Sequence, residues 1–338
     1  MTNAGMTNDS VFYLLHSRPM AKLIIVNIPA YNEAENIANV IKLIPRTIHE
    51  YEVKVQVIDD GSHDSSAQIA KAAGAEYVIS HPYNQGVGAA FKTGVENFLE
   101  VGGDIFVNID GDGQFDPNDI QHVVAPLLEG KADISIASRF DKHKATDIPW
   151  IKEKGNRVIA WIVSKLMRYK IQDLTCGFRA YNRKSLLKLN LLHMFTYTQE
   201  VIIDAIGKQL KIVWVPVKVK YFADRKSRVT GSIWKYVQKS LMIIFRTVRD
   251  VKPLVFFGIP GFLLSIVGMI LSLVFLVMYL ITFTTTPYRM YLFVGLSLLV
   301  FGLLLLIFAS IADMIKSQRK IAEENLEMMK KLMYDKHL

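Results

Sequence analysis

The sequence predicts an α/β domain with a mainly parallel sheet, followed by a two-helix hairpin long enough to cross a membrane. Three observations carry this reading. Short β-branched runs alternate with helical spacings from residue 22 to about residue 138. A polar motif closes each of the first four runs. Two long uncharged stretches, 254–283 and 290–312, come late in the chain.

The elements follow in order. KLIIVNIPAY (22–31) is an apolar run that ends at a proline turn. NEAENIANVIKLI (32–44) places Ile37, Val40, Ile41 and Ile44 on one helical face. VKVQVIDD (53–60) alternates as a strand, and DSSAQIAKAAGA (64–75) reads as a helix with Asp64 as N-cap. AEYVIS (75–80) is a strand and GVGAAFKTGVENFLE (86–100) a helix. DIFVNID (104–110) and ADISIAS (132–138) are further strands. Strand–helix alternation of this kind gives a parallel sheet covered by helices. Ligands of such sheets bind beyond the carboxyl ends of the strands. PAYNE, DDGS, NQGVG and DGD all fall at that position, which makes them the candidate site.

The 338 residues carry a formal charge of +9 and a pI near 9.3. A basic balance suits nucleic acid, anionic lipid or a phosphorylated substrate, and charge alone does not choose. Hydropathy does. The mean hydropathy is +0.23, and Leu254–Phe283 and Met290–Ala312 run 30 and 23 residues without an ionisable acid or base. About 20 apolar residues cross the hydrocarbon core. The expected spans are about 254–283 and 290–314, joined by TTTPYR (284–289). The membrane is thus a partner, and no nucleic acid is expected.

Arg246, Arg249 and Lys252 precede the first span, and Lys316, Arg319 and Lys320 follow the second. The loop between them holds only Arg289. The positive-inside rule places both termini and the α/β domain in the cytoplasm, on the inner membrane. The one cysteine, Cys176, suits a reducing compartment. VFYLL (11–15) is too short for a signal peptide, and residues 1–20 read as a poorly ordered leader. The expected boundaries are then 21–231 for the cytoplasmic domain, 232–252 for an amphipathic helix on the membrane face, 253–315 for the hairpin and 316–338 for a charged tail. That tail is either a solvated helix or a contact to another subunit, and a homo-oligomer is expected.

NIDGDGQFDP (108–117) holds the chemistry. An EF-hand loop counted from Asp110 would need Gly at its sixth position and Glu at its twelfth; Phe115 and Gln121 stand there. A dinucleotide fingerprint in GVGAAF fails at Phe91, where its third glycine belongs. What remains is a D-x-D at a strand end. Two carboxylates one residue apart hold Mg²⁺ or Mn²⁺ and leave positions for substrate phosphate oxygens. Asp59 and Asp60 close a neighbouring strand and can accept from a base N–H or from ribose hydroxyls.

PAYNEAENI, VIDDGSHDSS, NQGVGAAFKTG, NIDGDGQFDP, SRF and DLTCGFRAY, in this order, resemble glycosyltransferase family 2 over roughly residues 22–230. Within it the chain is similar to the polyprenyl-phosphate glycosyltransferases, the bactoprenol glucosyltransferases and dolichol-phosphate mannose synthases. The Q-x-x-R-W motif of the processive synthases is missing, against polymerisation.

The resemblance implies a Rossmann-like nucleotide-diphospho-sugar transferase domain and an inverting, metal-dependent transfer of a hexose. The expected donor is UDP-glucose and the acceptor undecaprenyl phosphate; GDP-mannose is the rival donor. Pro29, Tyr31 and Glu33 would line the nucleotide pocket, with Lys92 on the same donor side. Asp59 or Asp60 would meet the base. Asp110 and Asp112 would hold the metal and diphosphate, Gln114 the sugar, and Arg139 would face the reacting phosphates. The family's late Arg and Ser-Lys element is matched loosely by Arg225, Ser227 and Arg228. Lys152, Lys154 and Arg157 are the cations expected to receive the acceptor phosphate, which is mostly a dianion at neutral pH. Asp173 and Glu200 are candidates either for orienting donor or acceptor or for a structural part.

Overall fold

The structure is a computed structural model that describes residues 22–139, 168–190, 197–219 and 252–334, with scattered positions within 157–167 and 238–249. Lys152, Lys154, Arg225, Ser227, Arg228, the leader and most of 232–252 lie outside the described residues.

In chain order the elements are β1 (Leu23–Ala30), α1 (Ile37–Leu43), β2 (Thr47–Ile48), β3 (Tyr51–Asp59), α2 (Ser66–Ala72), β4 (Tyr77–Ser80), α3 (Val87–Glu100) and β5 (Ile105–Asn108). Then come α4 (Ile120–Leu128), β6 (Ile134–Ser138), β7 (Arg179–Asn182), α5 (Arg183–Lys188), α6 (Tyr197–Gly207) and β8 (Ile212–Pro216). One sheet joins all the strands in the order β2-β3-β1-β5-β7-β6-β8, with β4 also on β3. β1 lies parallel between β3 and β5, and β6 parallel to β8; β7 runs antiparallel between β5 and β6. The sheet is therefore mixed and mostly parallel. Every residue of β1 except Pro29 is buried, as expected of a strand covered on both faces.

α1 begins at Ile37, later than its apolar spacing suggested. The Glu33 carbonyl accepts the N–H groups of Asn36 and Ile37, and Asn32 has a φ of 54°, so PAYNE is a turn. Asp64 also differs from the N-cap expected. Its carboxylate accepts the N–H of Ser66, the first residue of α2, while Ser65 occupies the cap position. Phe91, the residue that broke the dinucleotide fingerprint, is fully buried and stacks on Tyr197 at 4.1 Å. That segment of α3 builds core.

The C-terminal region is a helical hairpin. A π turn (Leu254–Gly258) leads into α7 (Ile259–Thr282), and α8 spans Arg289–Tyr334. Both are long and apolar enough to cross a bilayer. Their outer side chains, among them Phe262, Leu273, Phe293 and Phe301, are 57–64% exposed, so they are not core helices. The inner faces meet through glycines seven residues apart. A Cβ on Gly268 would come within 2.5 Å of the Leu299 nitrogen, and one on Gly261 within 2.9 Å of the Gly302 carbonyl. Close backbone approach of this kind is what packs helices where no hydrophobic effect separates protein from lipid. Gly268→Leu should force the pair apart. A loss of about 1–3 kcal/mol is expected from overpacking, read as earlier unfolding of the detergent-solubilised protein.

α8 continues past the uncharged stretch without a break. The tail therefore does not stand alone in solvent; its polar face docks on the α/β domain of the same chain.

Candidate active site

The polar motifs converge where the sheet's geometry puts them. β1, β3, β5 and β6 end on one edge of the sheet, at Ala30, Asp59, Asn108 and Ser138, with the start of antiparallel β7 between β5 and β6. Tyr31, Glu33, Asp59, Asp60, Asp110, Asp112 and Arg139 all sit on or just beyond those ends.

Two loops are stitched into one wall. Asn32 N–H donates to Ser62 Oγ at 2.9 Å, Glu33 N–H to Ser66 Oγ at 2.8 Å, and His63 N–H to Asn32 Oδ1 at 2.8 Å. The Tyr31 and His63 rings meet edge to face at 6.4 Å. The two neighbouring aspartates divide their work. Asp60 is 4% exposed, and its carboxylate accepts Gln85 N–H (2.9 Å) and Gly86 N–H (2.8 Å) and pairs with His81 Nδ1 (2.7 Å). His81 Nε2 in turn meets Thr93 Oγ1 at 3.0 Å. Asp60 thus holds the NQGVG loop against the sheet, with both carboxylate oxygens engaged by protein donors. Asp59 accepts Ser62 N–H through Oδ1 alone at 3.1 Å.

The three aspartates of NIDGDGQFDP have separate fates. Asp116 caps a single 3₁₀ turn, accepting Asn118 N–H at 2.9 Å. Asp112 Oδ1 accepts Gln114 N–H at 3.0 Å, which curls the loop back on itself. Phe115 anchors the loop by packing edge to face on Phe178 at 5.2 Å. Asp110 accepts no hydrogen bond from the described residues. Loss of water around its carboxylate, then the charge of Asp112, pushes its pKa up to about 7, against the pull of Arg139; Glu33 raises it and Arg179 lowers it further. Five chemically active side chains therefore share one electrostatic neighbourhood.

Gly177 shapes that neighbourhood. A Cβ there would lie 3.2 Å from both Asp110 carboxylate oxygens, so only glycine leaves this side of the carboxylate clear. The pair Asp110–Asp112 fits a hard divalent cation: two half-buried oxygen donors one residue apart, one of them without a hydrogen-bonded partner among the described residues. Among the described residues no third His, Cys, Asp or Glu completes a cluster with them.

Arg139 is held rather than loose. Its Nε and Nη2 donate to Asp173 Oδ2 and Oδ1 at 2.7 and 2.9 Å, and Nη2 reaches Thr175 Oγ1 at 2.6 Å. Asp173 is fully buried and also accepts the N–H groups of Thr175 and Cys176. Asp173, a candidate either for orienting substrate or for a structural part, has its carboxylate on protein donors and holds Arg139 in place. Burial pushes the neighbouring Cys176 thiol up to about 12, so it is inert packing.

Lys92 pairs with Glu96 one turn along α3 at 3.8 Å, both half exposed, an arrangement of a helix surface. Pro29 is half-buried inside β1, Gln114 is half-buried in the acidic loop, and Arg157 is helical and exposed. Glu200 is buried in the first turn of α6, one turn beyond Tyr197.

Sequence reasoning missed the layer beneath. Asn97 donates to Gln56 Oε1, Gln56 to Asn27 Oδ1, and Asn27 to Asn108 Oδ1, at 2.7–2.8 Å each. Asn108 donates on to Tyr197 Oη (2.8 Å) and Gly177 O (3.1 Å), two residues from Asp110. Arg179 is also fully buried, with Nε on Cys176 O at 2.7 Å and its guanidinium 6.0 Å from the Tyr197 ring. One signal was there to find: each of three apolar strands, LIIVNIPA, VKVQVID and IFVN, carries a single amide.

The raised Asp110 pKa makes a sign-definite prediction. In the metal-free protein the folded state keeps this proton up to about pH 7, while the unfolded chain loses it near its ordinary value of 3.8. Stability from that difference is full below the unfolded value and is lost as pH rises through about 7. The thermal midpoint of Asp110→Asn relative to the unsubstituted protein, measured in EDTA, should rise between those limits and level off above them. An unchanging difference would refute the assignment.

A three-layer domain with a mixed, mostly parallel sheet, whose acidic loops gather at the strand ends, defines a GT-A-like nucleotide-sugar transferase fold. The chain belongs to glycosyl transferase family 2, whose profile matches residues 25–189. It is 31% identical over 251 residues to UDP-N-acetylglucosamine–dolichyl-phosphate N-acetylglucosaminyltransferase of Methanococcus voltae, covering 68% of this chain and 99% of that protein. Polyprenol monophosphomannose synthase of Mycolicibacterium smegmatis is 28% identical over 230 residues, covering 64% of this chain and 83% of that one. Among solved structures, glucosyl-3-phosphoglycerate synthase of Mycobacterium tuberculosis with Mg²⁺ and UDP has a TM-score of 0.52 at 22% identity, covering 72% of this chain and 85% of that one.

Proposed function

We propose that this chain moves a hexose, glucose from UDP-glucose, onto a polyprenyl phosphate such as undecaprenyl phosphate at the cytoplasmic membrane face. The observation that carries this is the gathering of Asp110, Asp112 and the anchored Arg139 at one sheet edge, in a chain that also holds two helices of membrane length. The names of the two relatives add weight, since both carry sugar transfer to a polyprenyl-type phosphate.

The residues divide the reaction. Asp59, with a carboxylate oxygen left over, accepts the base N–H; Tyr31 and Glu33 wall the nucleotide. Asp110 and Asp112 would hold Mg²⁺ or Mn²⁺, which when bound supplies positive charge to the diphosphate leaving group. Gln114 meets the sugar. Arg139, fixed by Asp173, faces the phosphates, and Arg157 with Lys152, Lys154, Arg225, Ser227 and Arg228 receives the acceptor. A phosphate dianion needs little help from a base. Its oxygen forms the new bond to the anomeric carbon as the bond to the diphosphate breaks, with inversion. The charges flanking the hairpin set its cytoplasmic side. The homo-oligomer has support in the tail, where Ile321, Met328, Met329, Leu332 and Met333 are 58–68% exposed.

The N-acetylglucosamine donor in the Methanococcus enzyme's name favours one second reading, a UDP-N-acetylglucosamine donor here. The test is a product-extraction assay in which UDP-glucose, UDP-N-acetylglucosamine and GDP-mannose are offered side by side with undecaprenyl phosphate. Lipid-linked glucose supports the proposal. Donor binding without any lipid product would replace it with a nucleotide-sugar-binding scaffold. Removing residues 251–338 should lower turnover of long-chain acceptors about a hundredfold, because the domain then loses its tether to the bilayer. Undiminished turnover on them would remove the hairpin from the mechanism.

A further inference from the structure

α8 is one helix from lipid to protein. Its uncharged part ends at Ala312, and the helix runs on to Tyr334. At 1.5 Å per residue, Glu323 stands about 17 Å and Tyr334 about 33 Å along the axis from Ala312. Over that length one face is partly buried: Glu323, Glu327, Lys330 and Tyr334, spaced as one helical stripe.

The stripe grips the α/β domain at three heights. Lys208, 18% exposed, sits between Glu323 (3.2 Å) on α8 and Asp204 (2.9 Å) on α6. Lys330 Nζ donates to Leu189 O at 2.9 Å and Asn190 Oδ1 at 3.2 Å. Arg183 donates to Tyr334 O at 3.0 Å while also holding Gly103 O and Leu99 O at 3.2 Å each. Polar partners of this kind fix a rotation and a register, which an apolar contact does less well. The gripped residues share one place in the fold. Gly103 precedes β5, Arg183 follows antiparallel β7, and Lys208 precedes β8. All lie where the parallel strands begin, the edge opposite Asp59, Asp110 and Arg139.

We infer that the cytoplasmic half of α8 is a rigid strut that sets the height and tilt of the catalytic domain over the bilayer, leaving the strand-end edge uncovered for the lipid phosphate. Its role in catalysis rests on the polyprenyl-phosphate reading above; its mechanical role does not. An acceptor confined to headgroup level meets a site held at one height far more often than a site on a loose tether.

The test uses the full chain in lipid nanodiscs. Glu323→Lys with Lys330→Glu breaks the grip from the helix side alone. Height is read by energy transfer from a dye on Lys131→Cys to labelled headgroups; buried Cys176 stays unlabelled. Trypsin reports whether residues 316–331 have come free. The expected result is a freed helix, a broadened height distribution, and a fall of about tenfold with long-chain polyprenyl phosphate in the bilayer, while a short-chain acceptor in detergent stays within about twofold. An unchanged height with a freed helix overturns the strut. Equal losses on both acceptors overturn it as well, because they mark damage to the domain. If trypsin finds the helix still docked, deletion of 316–338 repeats the measurement and decides it. If the unsubstituted chain transfers sugar to neither acceptor, the functional reading fails while the height measurement still judges the strut.

Discussion

Asp110→Asn and Asp112→Asn each lower sugar transfer by about a hundredfold or more, the scale on which an electrostatic stabiliser of the leaving group acts. The fold is expected to survive, because both carboxylates sit on a loop beyond the strand ends: Asp110 accepts no hydrogen bond from the described residues, and the bond that Asp112 accepts from Gln114 N–H shapes that loop. The measurement is UDP release in the presence of polyprenyl phosphate, with circular dichroism on the same samples. More than a few per cent of activity in both variants would sink the assignment of the pair. Asp116→Asn is the internal control: it loses only part of a cap, and its transfer rate stays near that of the unsubstituted chain.

Asp173→Ala acts through structure first. It strips a partly buried Arg139 of its bidentate partner and leaves the N–H groups of Thr175 and Cys176 without this acceptor. Breaking one side of a buried pair costs about 3–5 kcal/mol. Arg139→Ala differs, because the guanidinium is 18% exposed and its Asp173 partner is not exposed at all. It should reduce transfer strongly and leave Asp173 buried without its cation. Denaturant unfolding of both single variants and the double variant measures the coupling. A double variant whose loss equals the sum of the singles would show that the pair does not act as a unit.

Much of the site was legible because strand ends announce themselves. An apolar run that stops at DD or at DGD has to place those carboxylates beyond the sheet, whichever way the chain then turns. The choice between Asp59 and Asp60 was not legible. Both stand at the same strand end, and only the loop returning through Gln85 and Gly86 shows which carboxylate is filled. The choice between a substrate-orienting and a structural Asp173 was illegible for the same reason. A polar residue in a loop looks available until its partner, 34 positions away at Arg139, is seen to occupy it. The pairing of Lys92, assigned to the donor side, with Glu96 along its own helix was likewise visible only in the structure. β7 escaped detection because its four residues carry Arg179 and Asn182, and its antiparallel place between β5 and β6 comes from pairing across the chain.

The sequence by itself determined the α/β class, the acidic strand ends and the two spans, because burial period and uncharged length are local properties that no later contact can alter. Only the tertiary structure decided which carboxylates remain available, that Arg179 and Tyr197 lie under Asp110, and that the charged tail grips its own domain. Those are matters of what fills each hydrogen-bonding position, and the partners are 20 to 150 residues apart.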